Sequence, residues 1–316
     1  MKTKVLIGYD GSESADSALM DLRRAGLPHD VEALIVSVSE VLMPPSAMGS
    51  GIVGSSPGSG RVAAVLAQVE SQAVEQLKEA KEFAVKARDR VRSYFPDWEV
   101  QAQWLTGTPY TELIDKADEW QADLVVVGSH GRSAIGRLLL GSVSKNVVTD
   151  SHHSVRVARG TIDTDDLIPR IMIGVDGSLE AEHAVWAVGK RLWPEETEIR
   201  IIAVDDGTSP ARVSSVLPSA ASLIERTDQQ FWAPARMVEW AQNELKAIGL
   251  SVSVAIEKGD PQRVLIEEAR KWDANSIFVG GRKFSGALER FWLGSVSTAL
   301  VTGAHCSVEV VRSGLN

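Results

Sequence analysis

A chain of 316 residues exceeds one ordinary core and suits two domains of roughly 150 residues each. Its 44% apolar and 24% charged side chains match average globular usage, which excludes disorder as a global description. The formal net charge of −9 is spread over both parts, with 17 basic against 20 acidic residues in 1–160 and 16 against 22 in 161–316, so neither part has the basic balance of a nucleic-acid binder.

The opening ten residues lack the hydrophobic run of a signal peptide, and no stretch approaches the roughly 20 apolar residues of a membrane span. Cys306 stands alone, so neither an intrachain disulfide nor a multi-cysteine metal site is expected. The expected setting is cytoplasmic, with no membrane partner.

In chain order, Lys4–Gly8 is a short apolar run of strand length that leads into Asp10-Gly11-Ser12. Ala15, Ala18, Leu19 and Leu22 follow the i, i+3, i+4, i+7 rule of an amphipathic helix. Ala33–Val38 reads as a second strand. The stretch from Pro44 to Gly60, dense in Gly, Ser and Pro, reads as a mobile loop. Leu66, Val69, Ala73, Leu77, Ala80, Ala84, Ala87 and Val91 then recur at helical spacing, which predicts a long helix from Arg61 to Tyr94. Trp98–Leu105, Leu124–Gly128 and Ser154–Ala158 complete five strands, and a third helix ends at Trp120.

The same order then repeats. Val5-Leu-Ile-Gly-Tyr-Asp-Gly-Ser12 is echoed by Ile171-Met-Ile-Gly-Val-Asp-Gly-Ser178 at an offset of 166, with Ala181, Ala184, Val185 and Val188 as the matching helix stripe. Gly107-Thr-Pro109 and Trp120 return as Gly259-Asp-Pro261 and Trp272 at an offset of 152, and Leu140-Gly-Ser-Val-Ser144 returns as Leu293-Gly-Ser-Val-Ser297 at 153. The long helix has its counterpart at roughly Pro234 to Ile248. Residues 1–160 form one expected domain, 161–169 a short acidic linker, and 170–316 the second domain. Alternating strands and helices predict mostly parallel sheets with helices on both faces. Ligands of such sheets bind beyond the strand C-termini, where the strand order reverses.

The loop after Leu124–Val127 carries the chemistry. From Gly128 it reads Gly, two residues, Gly131, nine residues, then Gly141-Ser142. Glycines allow positive φ and let backbone amides approach phosphate oxygens without a Cβ in the way. Ser142 is the expected cap of the next helix, whose N-terminus presents free amides and a positive dipole to an anion.

Taken with the Asp10-Gly-Ser12 strand end, the Gly-x-Pro turn and the closing strand, this loop resembles the universal stress protein family. That group is Rossmann-like (adenine nucleotide alpha hydrolase-like), and its ATP-binding members share the Gly-x2-Gly-x9-Gly-Ser pattern. The resemblance implies two domains, each a five-stranded parallel sheet in the order 3-2-1-4-5 with helices on both faces. It places Asp10 near adenine and ribose, Val38 against the base, Gly128 beside the ribose, and Gly131, Gly141, Ser142 and Val143 around the phosphates. Magnesium is expected to travel with the ATP. The resemblance further implies a nucleotide-dependent regulatory or stress-response role with at most slow hydrolysis, rather than an enzyme; the protein partner and the stress stay open.

In the second copy, Lys283 stands where the second glycine would be, and one residue is inserted before Gly294. A left-handed backbone there costs a non-glycine roughly 1–2 kcal/mol, which counts against binding, whereas Arg282 and Lys283 could meet phosphate charge and Gly281 or Gly286 could supply the turn after a small shift; Asp176, Val204, Gly280, Gly294 and Ser295 are its candidates. In the family the last strand often pairs across a dimer interface, and Val155–Ala158 and Val308–Val311 are positioned to pair within this one chain as a pseudo-dimer. A further homodimer is left open.

Other signals are set aside. His130 reads as a solvent-facing loop residue. His152 and His153, being adjacent, are expected to point apart and not to bind metal. The tryptophans and Cys306 read as packing residues. Two rival functions remain: an interaction module with vestigial nucleotide sites, and an ATP-cleaving adenylating enzyme. The second lacks support, since neither a Ser-Gly-Gly-x-Asp-Ser loop nor a His-x-Gly-His pair occurs.

Overall fold

A computed structural model describes residues 2–40, 59–131, 140–160, 168–207, 234–281 and 293–312. Most of the loop expected at Pro44–Gly60 and most of the linker lie outside the described residues.

The first half alternates β1 (Thr3–Gly8), α1 (Glu13–Asp21), β2 (Val31–Ser39), α2 (Ser59–Tyr94), β3 (Glu99–Thr106), α3 (Pro109–Trp120), β4 (Leu124–Gly128), α4 (Ser142–Asp150) and β5 (Ser154–Ala158). The second half follows with β6 (Arg170–Val175), α5 (Leu179–Gly189), β7 (Glu198–Asp205), α6 (Pro234–Ala247), β8 (Ser251–Lys258), α7 (Pro261–Lys271), β9 (Ser276–Gly280), α8 (Ser295–Gly303) and β10 (Ser307–Val311). Among the described residues no helix is long and apolar enough to cross a membrane.

All ten strands join one sheet, in the order β3-β2-β1-β4-β5-β10-β9-β6-β7-β8. Every pairing inside a half is parallel, and the two halves meet where β5 and β10 run antiparallel. Pairing the two last strands removes an exposed edge from each half.

The apolar runs follow from coverage on both faces. Val5, Leu6 and Ile7 are all fully buried, since successive side chains point to opposite sides and both sides carry helices. Leu6 packs into a core with Leu113, Val147, Met172, Ile277 and Leu300 that runs unbroken through both halves. On the other face the apolar packing divides. One core gathers Val5, Ile7, Leu19 and Ala84, and a separate one gathers Ile173, Val185, Ala241 and Phe278. Each buried aliphatic side chain contributes about 1.5–3 kcal/mol to the drive for folding.

Local signals set the helix starts. Ser12 Oγ accepts from Ala15 N at 3.1 Å and Ser178 Oγ from Ala181 N at 3.2 Å, the same cap at equivalent places. The Gly-x-Pro turn has an equally local cause. Gly107 adopts φ +145°, a Cβ there would stand 2.3 Å from Glu112 Oε1, and Pro109 opens α3. Gly259 repeats the turn at φ +136° before Pro261.

Candidate functional site

β1 lies between β2 and β4, and the chain leaves it in opposite directions on the two sides, so a cleft opens beyond the strand ends. It holds a cavity of about 750 Å³, inside the range of small-molecule sites. Asp10, Val38, Gly128, Gly131, Gly141, Ser142 and Val143 all line it. One wall comes from the end of β2 and from α2, through Ser39, Glu40, Glu79 and Phe83; the opposite wall is the turn from β4 into α4.

The glycines of this turn do not serve handedness, which corrects the expectation of positive φ, and at Gly128 it is close approach that requires the missing side chain. Gly128, Gly131 and Gly141 are all outside the positive-φ region. A Cβ on Gly128 would stand 2.6 Å from Ser14 Oγ and 2.8 Å from the Ser14 carbonyl, so the bare backbone lets α1 pack against the end of β4. A Cβ on Gly141 would come within 3.1 Å of His130 Cα. On Gly131 the neighbour is the Asp10 carboxylate, with Oδ2 at 3.0 Å. Gly11, next to Asp10, does need the left-handed region, at φ +78°, and a Cβ there would strike the Phe83 ring at 2.6 Å.

The expected cap also shifts by one residue. Gly141 is the N-cap of α4 and Ser142 its first helical residue, with no side-chain cap bond. The Gly141 amide is already spent on Ser129 O at 2.8 Å, and the first intrahelical bond runs from Lys145 N to Gly141 O at 2.9 Å. The amides of Ser142, Val143 and Ser144 therefore have no intrahelical carbonyl to meet, and these three residues border the cavity. A residue absent from the sequence-based candidates holds that helix in place: buried Ser144 donates through Oγ to Gly128 O at 2.6 Å. Its only sequence signal is the shared Gly-Ser-Val-Ser string.

Asp10 is fixed by its own turn, with Oδ1 accepting from Ser12 N at 3.0 Å, which leaves Oδ2 toward Gly131. Beneath it, Tyr9 OH donates to Asp16 Oδ1 at 2.5 Å, Arg90 binds the same oxygen, and Ser37 Oγ donates to Tyr9 O at 2.6 Å. Burial, and then the bond to Asp16, push the Tyr9 phenol above its ordinary range, so it remains a neutral donor. Ser39 was also missed: its Oγ is buried and has no hydrogen-bond partner among the described residues. A buried hydroxyl left unpaired costs free energy unless a ligand or water satisfies it.

Two readings of histidines are corrected. His130 is half-buried rather than solvent-facing, lines the cavity, and meets the Ser129 hydroxyl through Nδ1 at 2.9 Å. His152 and His153 do not point apart. The Asp118 carboxylate gathers both, with His152 Nδ1 at 3.1 Å from Oδ2 and His153 Nε2 at 2.8 Å from Oδ1. Adjacent residues converge here because the chain bends between α4 and β5 instead of running extended. Among the described residues no group of three or more His, Cys, Asp or Glu is arranged to hold a metal. Cys306 is buried and its thiol is pushed up to about 12 by that burial, which leaves it unreactive at neutral pH.

In the second half the candidates take equivalent strand ends. Asp176 follows β6 and accepts from Ser178 N at 3.1 Å, Val204 is on β7, Gly280 ends β9, and Gly294 is the N-cap of α8 directly before Ser295. Ser297 Oγ donates to Gly280 O at 3.2 Å, repeating the tie made by Ser144. A Cβ on Gly280 would stand 2.4 Å from the backbone of Glu180. Lys283 lies outside the described residues.

The family model for the universal stress protein family matches residues 1–159 and again 168–312. A universal stress protein of Mycolicibacterium smegmatis is 26% identical over 314 residues, covering 98% of this chain and 96% of that one. Universal stress protein Rv2005c of Mycobacterium tuberculosis is 27% identical over 219 residues, covering 67% and 69%. Among solved structures, a universal stress protein from Archaeoglobus fulgidus superposes with a TM-score of 0.63 at 21% identity, covering 98% of each chain. Two matches to one family model, end to end and over nearly the full length, leave one assignment: this chain belongs to the universal stress protein family and carries its domain twice in tandem.

Proposed function

We propose that the first half binds ATP together with magnesium, and that the bound nucleotide regulates a stress-related role of the protein with at most slow hydrolysis. The observation that carries this reading is the cavity itself: at one end the free amides of α4 beside Gly131 and Gly141, at the other the β2 and α2 wall with its unpaired Ser39 hydroxyl. Amide bonds to a charged phosphate contribute about 1.5–3 kcal/mol each, so a few of them reach the ~8 kcal/mol of a micromolar ligand.

Charge supports the cation. The described lining carries three carboxylates, Asp10, Glu40 and Glu79, and no Lys or Arg. Magnesium held by the phosphates would offset part of the triphosphate's charge beside them. The ion would supply that neutralisation, while Asp10, placed opposite Gly131, orients the sugar end of the nucleotide.

Mass spectrometry of nucleotide released from the purified chain, followed by calorimetry with ATP and magnesium, tests the reading. Adenine nucleotide in the preparation and micromolar binding that weakens when EDTA removes magnesium are expected. No nucleotide and no heat would leave the interaction module in its place, and rapid multiple turnover or an adenylated product would make the protein an enzyme.

A further inference from the structure

The seam between the halves is built around a local twofold. On β5 and β10, Val155 faces Val310, Arg156 faces Glu309 and Val157 faces Val308. The repeat offset of 153 makes Arg156 and Glu309 counterparts of each other, so the axis passes through that pair. Any symmetric pairing of like halves would set one of these residues against its own copy: Arg156 on Arg156, or Glu309 on Glu309.

The observed order of charges alternates. Asp21 holds Arg156 through Nε at 2.5 Å and Nη2 at 3.1 Å, Arg156 Nη1 reaches Glu309 Oε2 at 3.3 Å, and Arg191 binds the other Glu309 oxygen. The side chains of Arg156, Asp21 and Glu309 are 0%, 4% and 1% exposed. This charged line fills the place where the two cores on this face of the sheet separate. Like pairing would keep each outer counterion but put two guanidiniums or two carboxylates in the middle, where almost no water screens them.

Shape repeats the preference independently. Gly26 adopts φ +63° and a Cβ there would stand 2.7 Å from Trp193 Cε3, so the indole occupies a hole that only glycine leaves. Leu192 N donates to Gly26 O at 2.8 Å and Arg191 Nη1 to Ala25 O at 2.6 Å across the same seam. At the offset of 166 that relates Pro28 to Pro194, the counterpart of Gly26 is Leu192 and that of Trp193 is Leu27. Two second halves would drive Leu192 into Trp193, and two first halves would face Gly26 with Leu27 and leave a void.

We infer that this seam is a heterologous lock that accepts a first half with a second half and rejects like-with-like pairing. The partner it fits is the other half of the same chain, joined by the short linker at high effective concentration. The seam is thereby closed to additional copies of either half.

The test starts from the folded full chain with a protease site placed within residues 161–167, cut after folding and observed by native mass spectrometry. A 1:1 complex of the two halves is expected. A statistical mixture of like and unlike pairs, or separation into monomers, overturns the lock. Glu309→Arg, which makes the axis pair alike, is expected to abolish the 1:1 complex and lower the melting temperature of the uncut chain; an unchanged complex refutes the charge argument. A double-mutant cycle reads the shape argument in the uncut chain whatever the folding of Glu309→Arg. Gly26→Ala is expected to lower the melting temperature more in the wild type than in Trp193→Leu, and additive shifts remove the knob and hole.

Discussion

The two halves share a scaffold and part company in the loop after the fourth strand. Gly128 and Gly280 perform the same task, since a Cβ on either would collide with the first turn of the helix packed against it, at Ser14 or Glu180. Ser144 and Ser297 tie the following helix to those glycines in both halves. Gly131 differs in kind: beyond its chain neighbours, the described atom that its Cβ position approaches within 4 Å is Asp10 Oδ2, across the mouth of the cavity, and by sequence the second copy has Lys283 at that place. A glycine that packs against backbone recurs, while a glycine that keeps a cavity open is replaced in one half. What a Cβ would strike thus separates a glycine that packs against backbone from one that borders the cavity, which spacing alone does not.

The largest effect that tests this contrast is on binding. Gly131→Leu is expected to weaken ATP at least about 100-fold, some 2.7 kcal/mol, with the melting temperature little changed. Calorimetry beside a thermal melt checks both parts, and unaltered affinity would break the distinction. Next in size, Gly128→Ala and Gly280→Ala are expected to destabilise their halves by about 1–3 kcal/mol through overpacking; denaturant melts in which either is silent would show that the two glycines are not equivalent. Ser144→Ala and Ser297→Ala are expected to cost about 0.5–1.5 kcal/mol each, the first more than the second because its bond is 2.6 Å against 3.2 Å.

The smallest effects are in pH. Burial lowers the His305 imidazole below its ordinary 6.5, so the folded state prefers the neutral ring. The stability this provides is present above 6.5 and is lost as pH falls through the lower folded value. The wild-type melting temperature should therefore drop more between pH 7 and pH 5 than that of His305→Gln, and equal drops would show that another group governs acid sensitivity. At the other end, Cys306 is pushed from 9.0 up to about 12. Stability from the neutral thiol is retained below 9.0 and declines toward 12, and iodoacetamide should label Cys306 only on unfolding.

Much of the fold was legible because its signals are local. The alternation of apolar runs with helical stripes, the caps at Ser12 and Ser178, and the Gly-x-Pro turns each depend on a few neighbouring residues. The candidate site was legible as a set of loop positions, since the strand ends of a parallel sheet face one cleft. Ser39 and Ser144 were not, because a serine carries no mark of whether its hydroxyl is buried or what it meets. The adjacent His152 and His153 were misread for the same reason: their direction depends on Asp118, more than 30 residues away.

By itself the sequence determined the duplication, the α/β order of each half and the loop that borders the cavity, since repeat spacing, hydrophobic period and glycine placement are written along the chain. Only the tertiary structure decided which glycines serve packing, which serine anchors α4, and that Arg156 meets Glu309 while Trp193 fills the space at Gly26. Those choices rest on partners up to about 170 residues apart, and a buried contact is specified by the shape and charge of both partners together, which no local pattern encodes.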